Sequence, residues 1–303
     1  MAFLYWLENI RIPIITELML LITHLGEETA FLVTAIIVFW CVSKKQGYYL
    51  MAVGFIGTIA NQFLKMVFRI PRPWVLDEHF TAVEAAKAEA TGFSFPSGHT
   101  QSSVGTFGGL AYTAKHRWSR IICVVITLLV PFSRMYLGVH TPLDVIVSYI
   151  IALLLVVFVY PAIFGGGKRR MLALLGGIIL LCLVYLAFVH LYPFPADVDQ
   201  TRLVSGIENG YTLFGSLVGM LLVYIIDCKW LHFPVKAKWW AQIIKVLIGL
   251  ALVLAVKSLL KSPLNMLLGE YAGRAVRYFL VVLTAGVFWP MSFKWFSKMG
   301  SKE

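Results

Sequence analysis

Long runs of apolar positions alternate with short polar segments along nearly the whole chain. Several of these runs reach the roughly 20 residues that a helix needs to cross a bilayer. Because lipid offers no hydrogen-bond partner to the backbone, such runs should fold as helices. The pattern predicts an all-α, polytopic membrane helical bundle with about nine transmembrane helices. They fall near residues 27–42, 47–68, 98–114, 119–138, 142–163, 171–191, 210–226, 239–260 and 275–293.

The first 24 residues have a different pattern. Apolar side chains recur there at helical spacing, at Phe3, Leu4, Leu7, Ile10, Ile14, Leu18 and Leu21. Charged side chains, from Glu8, Arg11 and Glu17, lie between them. This arrangement predicts an N-terminal amphipathic interfacial helix. A tilted extra span is the alternative that the sequence leaves open.

Composition and charge support a membrane protein and give it an orientation. The chain is 59% hydrophobic and 14% charged, too apolar for a soluble globular domain. The formal net charge of +11 comes from Lys and Arg residues that lie mostly in short connections, so it indicates topology and not nucleic-acid binding. Basic connections occur at 44–45, 115–120, 168–170, 229–238 and in the C-terminal tail. The positive-inside rule predicts that these, and the C-terminus, are cytoplasmic, and that 70–96, 139–141, 192–209 and 262–274 face outward.

A glycine-rich basic segment at 165–170 is the best linker in the chain. It predicts a first domain, 1–165, with the amphipathic helix and five spans. The second domain, 166–303, is a membrane extension of about four spans. The four cysteines are far apart, lie in or beside apolar runs and show no metal-binding spacing.

Two polar clusters lie at the predicted outward ends of apolar helices and offer groups that bind anions. Lys65 and Arg72 are seven residues apart, which on a helix places them on one face. They could form an anion clamp, or they could be cations that snorkel to the interface. Ser97, Gly98 and His99 begin the third predicted span, where Ser caps, Gly admits a ligand to the backbone and His supplies a proton.

The third cluster contains a histidine and a carboxylate at a helix start. Thr141 is the expected N-cap, Pro142 the first helical residue and Asp144 the acid of a capping box. His140 is close enough for Asp144 to hold one ring nitrogen, which leaves the other as a nucleophile or base. Arg134 lies a short distance before and could contact the same phosphate. A cap without catalytic function is the alternative for Asp144.

At these residues the chain resembles the type 2 phosphatidic acid phosphatase superfamily of membrane lipid phosphatases. The family pattern, KxxxxxxRP, PSGH and SRxxxxxHxxxD, is met by Lys65–Pro73, Pro96–His99 and Ser133–Asp144. The resemblance implies a phosphatase core over 1–165 and a phosphohistidine on His140. Asp144 would orient that nucleophile and His99 would protonate the leaving group. Lys65, Arg72, Ser97, Gly98 and Arg134 would hold the phosphate, with no metal or other cofactor.

The expected function is therefore metal-independent hydrolysis of a lipid phosphate or diphosphate. The substrate candidates are undecaprenyl diphosphate, phosphatidylglycerol phosphate, phosphatidic acid and sphingoid phosphates. The site would face the non-cytoplasmic side of a membrane, expected to be a bacterial plasma membrane. A soluble phosphate ester, as for glucose-6-phosphatase, and transfer of phosphate between lipids are the alternative reactions.

The second domain leaves further interpretations open. It could mediate a homodimer, shape lipid entry or bind a second ligand. A lipid transporter is the non-enzyme alternative, but it predicts charges near the bilayer midplane. The candidates in the second domain, Lys245 and Lys257, lie close enough to helix ends to snorkel.

Overall fold

The structure is a computed structural model that describes residues 1–90, 92–196 and 198–299. Within these residues all regular secondary structure is helical. The helices, numbered in chain order, are α1 (Ala2–Asn9), α2 (Pro13–Thr23), α3 (Glu28–Cys41), α4 (Lys44–Phe68), α5 (Pro73–Leu76), α6 (Glu84–Glu89), α7 (Gly98–Ser103), α8 (Gly109–Thr113), α9 (Arg117–Tyr136), α10 (Pro142–Phe164), α11 (Lys168–Leu191), α12 (Gln200–Ile226), α13 (Trp239–Leu259), α14 (Lys261–Leu268), α15 (Glu270–Leu283) and α16 (Phe293–Lys298).

Seven helical segments of the described chain are long and apolar enough to cross a membrane. An eighth candidate is the pair Pro13–Gly26 and Glu28–Cys41, which is bent by 53°. The remaining predicted span, 98–114, is continuous in the structure as α7, a π-helical turn and α8. It is shorter than a usual span, because its first turn is polar and the helix does not continue past Ala114. The prediction of an all-α bundle with about nine spans is confirmed to this approximation.

The N-terminal segment forms two helices, because Pro13 interrupts the backbone hydrogen bonding between α1 and α2. Leu4 and Leu7 of α1 are buried against protein, in a cluster with Phe80, Tyr136 and Leu137. Part of the apolar face predicted to enter lipid thus packs against the protein, at the end of α9 and the segment that follows it. The remaining apolar residues, Ile14 and Leu18 among them, are exposed at the protein surface.

The described residues form two compact units built from discontinuous parts of the chain. The first contains Met1–Leu32, Leu50–Pro161 and Tyr192–Gly206. The second contains Val33–Tyr49, Ala162–Leu191 and the chain from Ile207 onward. The division at 165 stays a prediction about domains.

The second unit has a core of aromatic rings and paired charges. Trp40 donates through Nε1 to the Ala285 carbonyl at 2.7 Å, and its ring packs edge-on against Phe293. Lys44 forms an ion pair with Asp227 at 2.7 Å. The snorkelling predicted for Lys245 is wrong: its side chain is buried, and Nζ donates to the Trp40 carbonyl at 2.9 Å. A carbonyl inside the protein satisfies the ammonium group, so it need not reach the interface.

Candidate active site

Lys65 and Arg72 both contact the loop before the PSGH segment, although they do not share a helical face as the sequence predicted. Helix α4 ends at Phe68 and Arg69 has a left-handed φ of 50°, so Lys65 and Arg72 do not share a helical face. A residue that precedes proline disfavours the helical conformation, so Pro71 accounts for the early end of α4. Lys65 Nζ nevertheless donates to the Phe93 carbonyl at 3.0 Å, and Arg72 Nε donates to the adjacent Gly92 carbonyl at 3.2 Å. The two side chains therefore converge on consecutive carbonyl groups.

The turn that carries His140 is set by the end of α9. Gly138 has a φ of 79°, and its N–H donates to the Met135 carbonyl at 3.0 Å, an arrangement typical of a helix C-terminus. A Cβ at Gly138 would lie 2.6 Å from Arg11 Nη2 and 2.9 Å from the Phe80 ring. His140 follows two residues later and is only 1% exposed.

The start of α10 confirms the predicted capping box. The Asp144 N–H donates to Thr141 Oγ1 at 3.3 Å, and the Thr141 N–H donates to Asp144 Oδ2 at 2.8 Å. The same carboxylate oxygen lies 3.4 Å from His140 Nδ1. Asp144 is thus both a cap and a neighbour of the imidazole, and the two interpretations of this residue do not exclude each other.

Arg72 reaches the opposite side of the His140 ring. Its Nη1 donates to His140 Nε2 at 3.0 Å and to the Val139 carbonyl at 2.9 Å. A guanidinium has no acceptor, so Nε2 must carry a lone pair, and the proton of the neutral ring is on Nδ1, toward Asp144. Burial lowers the pKa of His140 well below its ordinary value, and the charges of Arg72, Arg134 and Lys65 lower it further. The ring is therefore held neutral.

The PSGH segment is joined to the Asp144 turn through its backbone. The Ser97 N–H donates to the Asp144 carbonyl at 3.1 Å, and Ser97 Oγ accepts from the Thr100 N–H at the start of α7, as predicted for a cap. Outside its chain neighbours and its own helix, a Cβ placed on Gly98 would meet no atom of the described residues within 4 Å, so this backbone is open. His99 interacts electrostatically with Arg134, His140, Lys65 and Arg72, and its buried Nε2 has no hydrogen-bond partner in the described part of the chain.

Arg134 completes the group of three cations. It is 1% exposed, and its Nη1 donates to Thr23 Oγ1 at 2.7 Å. Its Nε is buried, and no residue that the structure describes accepts a hydrogen bond from it. All eight site residues predicted from the sequence thus belong to the first unit. Contacts or electrostatic interactions connect them, except Gly98, which is placed by its neighbours in the chain.

Two polar side chains of this site were missed by the sequence analysis. Ser94 Oγ donates to Asp144 Oδ2 at 2.6 Å, and Thr23 holds Arg134 as described. Ser94 lies just before the PSGH segment, and its position there is the one signal that could have drawn attention to it. Thr23 ends a helix far away in sequence, where no local pattern indicates a role.

A cluster of residues that can bind metal also occurs in the first unit. The ligand atoms of His24, Glu27 and Glu89 all lie within 4.8 Å of one another, and His24 contacts Glu27 directly. Sequence spacing did not reveal this group, because Glu89 is distant along the chain. Gly26, which lies between His24 and Glu27 in the sequence, packs against the His99 backbone. A Cβ placed on Gly26 would lie 2.9 Å from the His99 carbonyl oxygen.

Comparison with known proteins gives the same family for both halves of the chain. The PAP2 superfamily model matches residues 45–167, and the model of the PAP2 superfamily phosphatase transmembrane extension matches residues 211–301. The C-terminal region, which the sequence presented as an extension beyond the motif-bearing core, is thus itself a family element. No solved structure shows a significant match.

Three curated relatives illustrate the similarity. Phosphatidylglycerophosphatase B of Bacillus subtilis is 31% identical over 48% of this chain and 74% of its own length. Undecaprenyl-diphosphatase of Sulfolobus acidocaldarius is 28% identical over 46% of this chain and 67% of its own length. The probable sphingosine-1-phosphate phosphatase of Dictyostelium discoideum is 34% identical over 43% of this chain and 34% of its own length. These matches establish that the chain is a membrane phosphatase homologue that belongs to the PAP2 superfamily and carries that superfamily's transmembrane extension.

Proposed function

We propose that this protein hydrolyses a lipid phosphate or diphosphate through a covalent phosphohistidine on His140, without a metal. The observation that supports this most directly is the position of the His140 ring between Arg72 and Asp144. The carboxylate side holds the Nδ1 proton, and the Nε2 lone pair faces a phosphate-binding cation. A substrate phosphate that takes over the Arg72 hydrogen bond would lie directly in front of the nucleophile.

The proposed reaction has two steps. In the first, the Nε2 lone pair of His140 attacks phosphorus and the bond from phosphorus to the leaving oxygen breaks. His99, which is protonated once the dianionic substrate phosphate offsets the surrounding cations, gives its proton to that oxygen. In the second, water attacks phosphorus, the P–N bond breaks and inorganic phosphate leaves. His99, now neutral, takes the proton of the attacking water, so it returns to its initial state.

The cations and the open backbone at Gly98 stabilise the transition state in this scheme. Lys65, Arg72 and Arg134 neutralise the charge on the equatorial oxygens, with Arg suited to bidentate contact. The Arg134 Nε and His99 Nε2 atoms, both buried without a partner among the described residues, are donors that a phosphate and a leaving oxygen would satisfy. Ser97 caps α7, and its N–H joins this segment to the Asp144 carbonyl.

The substrate class follows from the membrane setting and from the relatives. The relatives' names, a phosphatidylglycerophosphatase, an undecaprenyl-diphosphatase and a sphingosine-1-phosphate phosphatase, each refer to a phosphorylated lipid. We place the site on the non-cytoplasmic face of a bacterial plasma membrane, with the C-terminus inside, because of the basic connections. A carrier-lipid diphosphate presented on that face is the favoured substrate.

Orthophosphate release from a defined panel tests this function. Purified protein would be given undecaprenyl diphosphate, phosphatidylglycerol phosphate, phosphatidic acid, a sphingoid phosphate and glucose 6-phosphate, each with and without chelator. The variants would be His140→Ala and, as a matched control, His116→Ala, which alters an exposed histidine before α9. We expect release from a lipid substrate by wild type and by the control, and nearly none by His140→Ala.

The panel also separates the alternatives. Equal release by wild type and His140→Ala would exclude His140 as the nucleophile. Preference for glucose 6-phosphate would replace the lipid substrate with a soluble ester. Loss of release in chelator would show a metal requirement and would direct attention to His24, Glu27 and Glu89.

A further inference from the structure

His24 and Glu27 lie on one side of a short 3₁₀ turn between α2 and α3. The turn covers His24–Gly26, and the Glu27 N–H closes it by donating to the His24 carbonyl at 3.2 Å. Because residues three apart are eclipsed in a 3₁₀ helix, this turn directs the imidazole and the carboxylate to the same side. The two side chains are in direct contact. The local backbone thus holds one nitrogen ligand and one oxygen ligand together.

Glu89, at the end of α6, brings a second carboxylate to this turn. One of its oxygens and the ligand atoms of His24 and Glu27 all lie within 4.8 Å of one another. In the part of the chain that the structure describes, no Lys or Arg nitrogen comes within 4.0 Å of either carboxylate. Two carboxylates this close repel each other, and a cation bound between them would remove the repulsion.

The nearby guanidinium of Arg134 does not take the place of that cation. Arg134 interacts electrostatically with Glu27 and Glu89, but it forms an ion pair with neither, and its Nη1 donates to Thr23. Arg134 is enclosed by protein, whereas His24 and Glu89 are exposed. The three ligand groups are therefore close to the catalytic cations but open to an ion from solution.

The base of this cluster is firmly held by the protein. A Cβ placed on Gly26 would lie 2.7 Å from Val130 Cγ1 and 3.0 Å from the His99 Cβ, so the turn packs closely on its neighbours. At the end of the turn, Ser102 Oγ donates to the Glu27 carbonyl at 3.4 Å. Ligands that are already held in position favour metal binding, because little order has to be imposed when the ion arrives.

We propose that His24, Glu27 and Glu89 bind a divalent transition-metal ion such as Zn²⁺, outside the proposed phosphate pocket. One imidazole nitrogen and two carboxylate oxygens form a ligand set that suits Zn²⁺, with water in the remaining position. The ion replaces the contact between His24 and Glu27 and neutralises the two carboxylates. It also ties α6 to the turn that follows Thr23, the residue that holds Arg134. Its role is structural, so it is compatible with phosphoryl transfer that uses no metal.

Zinc binding by metal-stripped, full-length protein in neutral detergent tests the proposal. Equilibrium dialysis against Zn²⁺ gives the affinity and the number of bound ions. Thermal unfolding with and without Zn²⁺ gives the rise in Tm that a ligand of the native state produces. The variants are His24→Ala and Glu89→Gln. Their matched controls are His116→Ala, which alters an exposed histidine, and Glu84→Gln, which alters an exposed acid of the same short helix as Glu89.

We expect wild type and both controls to bind Zn²⁺ more tightly than His24→Ala and Glu89→Gln, and to show the larger rise in Tm. Loss of one ligand should weaken binding by more than about tenfold, since loss of an outer-shell partner alone costs about 10–100-fold. Mg²⁺ should not substitute for Zn²⁺, because Mg²⁺ prefers six oxygen ligands and gives up its water reluctantly.

Equal zinc affinity in wild type, His24→Ala and Glu89→Gln, or no zinc binding by wild type, would overturn the proposal. Binding that survives in His24→Ala and is matched by Mg²⁺ would also overturn it, because the imidazole would then not be a ligand. Zinc bound by His99 or His140 is common to all these proteins and cancels in the comparison. None of these measurements uses turnover, so their outcome does not depend on the proposed function.

Discussion

Arg72 Nη1 donates a hydrogen bond to His140 Nε2 across 3.0 Å, which joins a predicted phosphate-binding cation to the predicted nucleophile. The same guanidinium also donates to the carbonyls of Gly92 and Val139. In this arrangement Arg72 covers the lone pair that would attack phosphorus.

Replacement of Arg72 should reduce kcat/KM strongly even when the positive charge is retained. Arg72→Gln removes a donor to the transition state, at a cost of about 10²–10³-fold. Arg72→Lys should recover little of this, because an ammonium cannot match the bidentate contact. Steady-state kinetics on the preferred lipid would measure both, with Arg69→Gln as the control outside the site. Near-normal activity of Arg72→Gln would contradict its role.

Asp144→Asn should lower kcat with little change in KM. The carboxylate accepts from Thr141 and Ser94 and faces His140 Nδ1, so it orients the ring and stabilises charge that develops on it. We expect a loss of about 10²–10⁴-fold, the range of general acid–base assistance. Glu84→Gln, which alters an exposed ion pair with Lys87, is the matched control. A variant with a raised KM and an unchanged kcat would assign Asp144 to binding instead.

Ser94→Ala should impair catalysis less than Asp144→Asn, although Ser94 belongs to none of the three motif segments. It deletes the 2.6 Å hydrogen bond to Asp144 Oδ2, and a hydrogen bond to a charged group contributes about 1.5–3 kcal/mol. That range corresponds to a loss of roughly 10–150-fold in kcat if the carboxylate shifts. Ser94→Thr, which keeps the hydroxyl, should restore activity. If Ser94→Thr loses activity and Ser94→Ala keeps it, the Ser94 hydroxyl does not position Asp144.

Loss of His99 should depend on the leaving group. His99→Gln should reduce kcat/KM by about 10²–10⁴-fold for an alkyl phosphate, whose leaving oxygen needs a proton. For an aryl phosphate analogue, whose phenolate leaves without one, the loss should be much smaller. Comparing the two substrates with wild type and variant measures this difference. An equal loss for both would mean that His99 does not act as the acid.

The pH profile should report the positive surroundings of His140. Burial and the charges of Arg72, Arg134 and Lys65 lower its pKa, so His140 of the free protein stays neutral as pH falls below the ordinary value of about 6.5. The acid limb of kcat/KM should therefore lie below that pH. In Arg134→Gln the imidazolium loses one repulsion, its pKa rises, and the limb should shift to higher pH. A shift to lower pH, or an unmoved limb, would contradict this account.

Much of the site could be predicted because its chemistry lies in three short segments. The capping box at Thr141 and Asp144 depends on neighbours within one turn, so its pattern is local and the structure confirms it. The prediction that Lys65 and Arg72 share a helical face was wrong, because helical periodicity was extended through the residue before Pro71, where helix is disfavoured. The contact of Ser94 with Asp144 could not be predicted, since the two residues are 50 positions apart in the sequence and meet through packing that no local pattern encodes.

The membrane fold was predictable to the level of apolar runs and no further. Length and hydropathy located the long spans, but polar Gly98–Ser103 made the third span short. The snorkelling of Lys245 was predicted from its position near a helix end, whereas its actual partner is the carbonyl of Trp40 in a separate helix. Such pairs depend on which helices touch, and that is tertiary information.

Gly138 leaves almost no room for another residue at the turn before the proposed nucleophile. Its backbone takes a conformation that side chains resist, and the space where a methyl group would go is already occupied by Arg11 and Phe80. Replacement of Gly138 by alanine would be opposed both by the positive φ and by the steric clash. Changes elsewhere in the chain could relieve only one of these two costs. A single hydrogen atom, standing where other residues have a side chain, lets the chain reverse tightly enough to present His140.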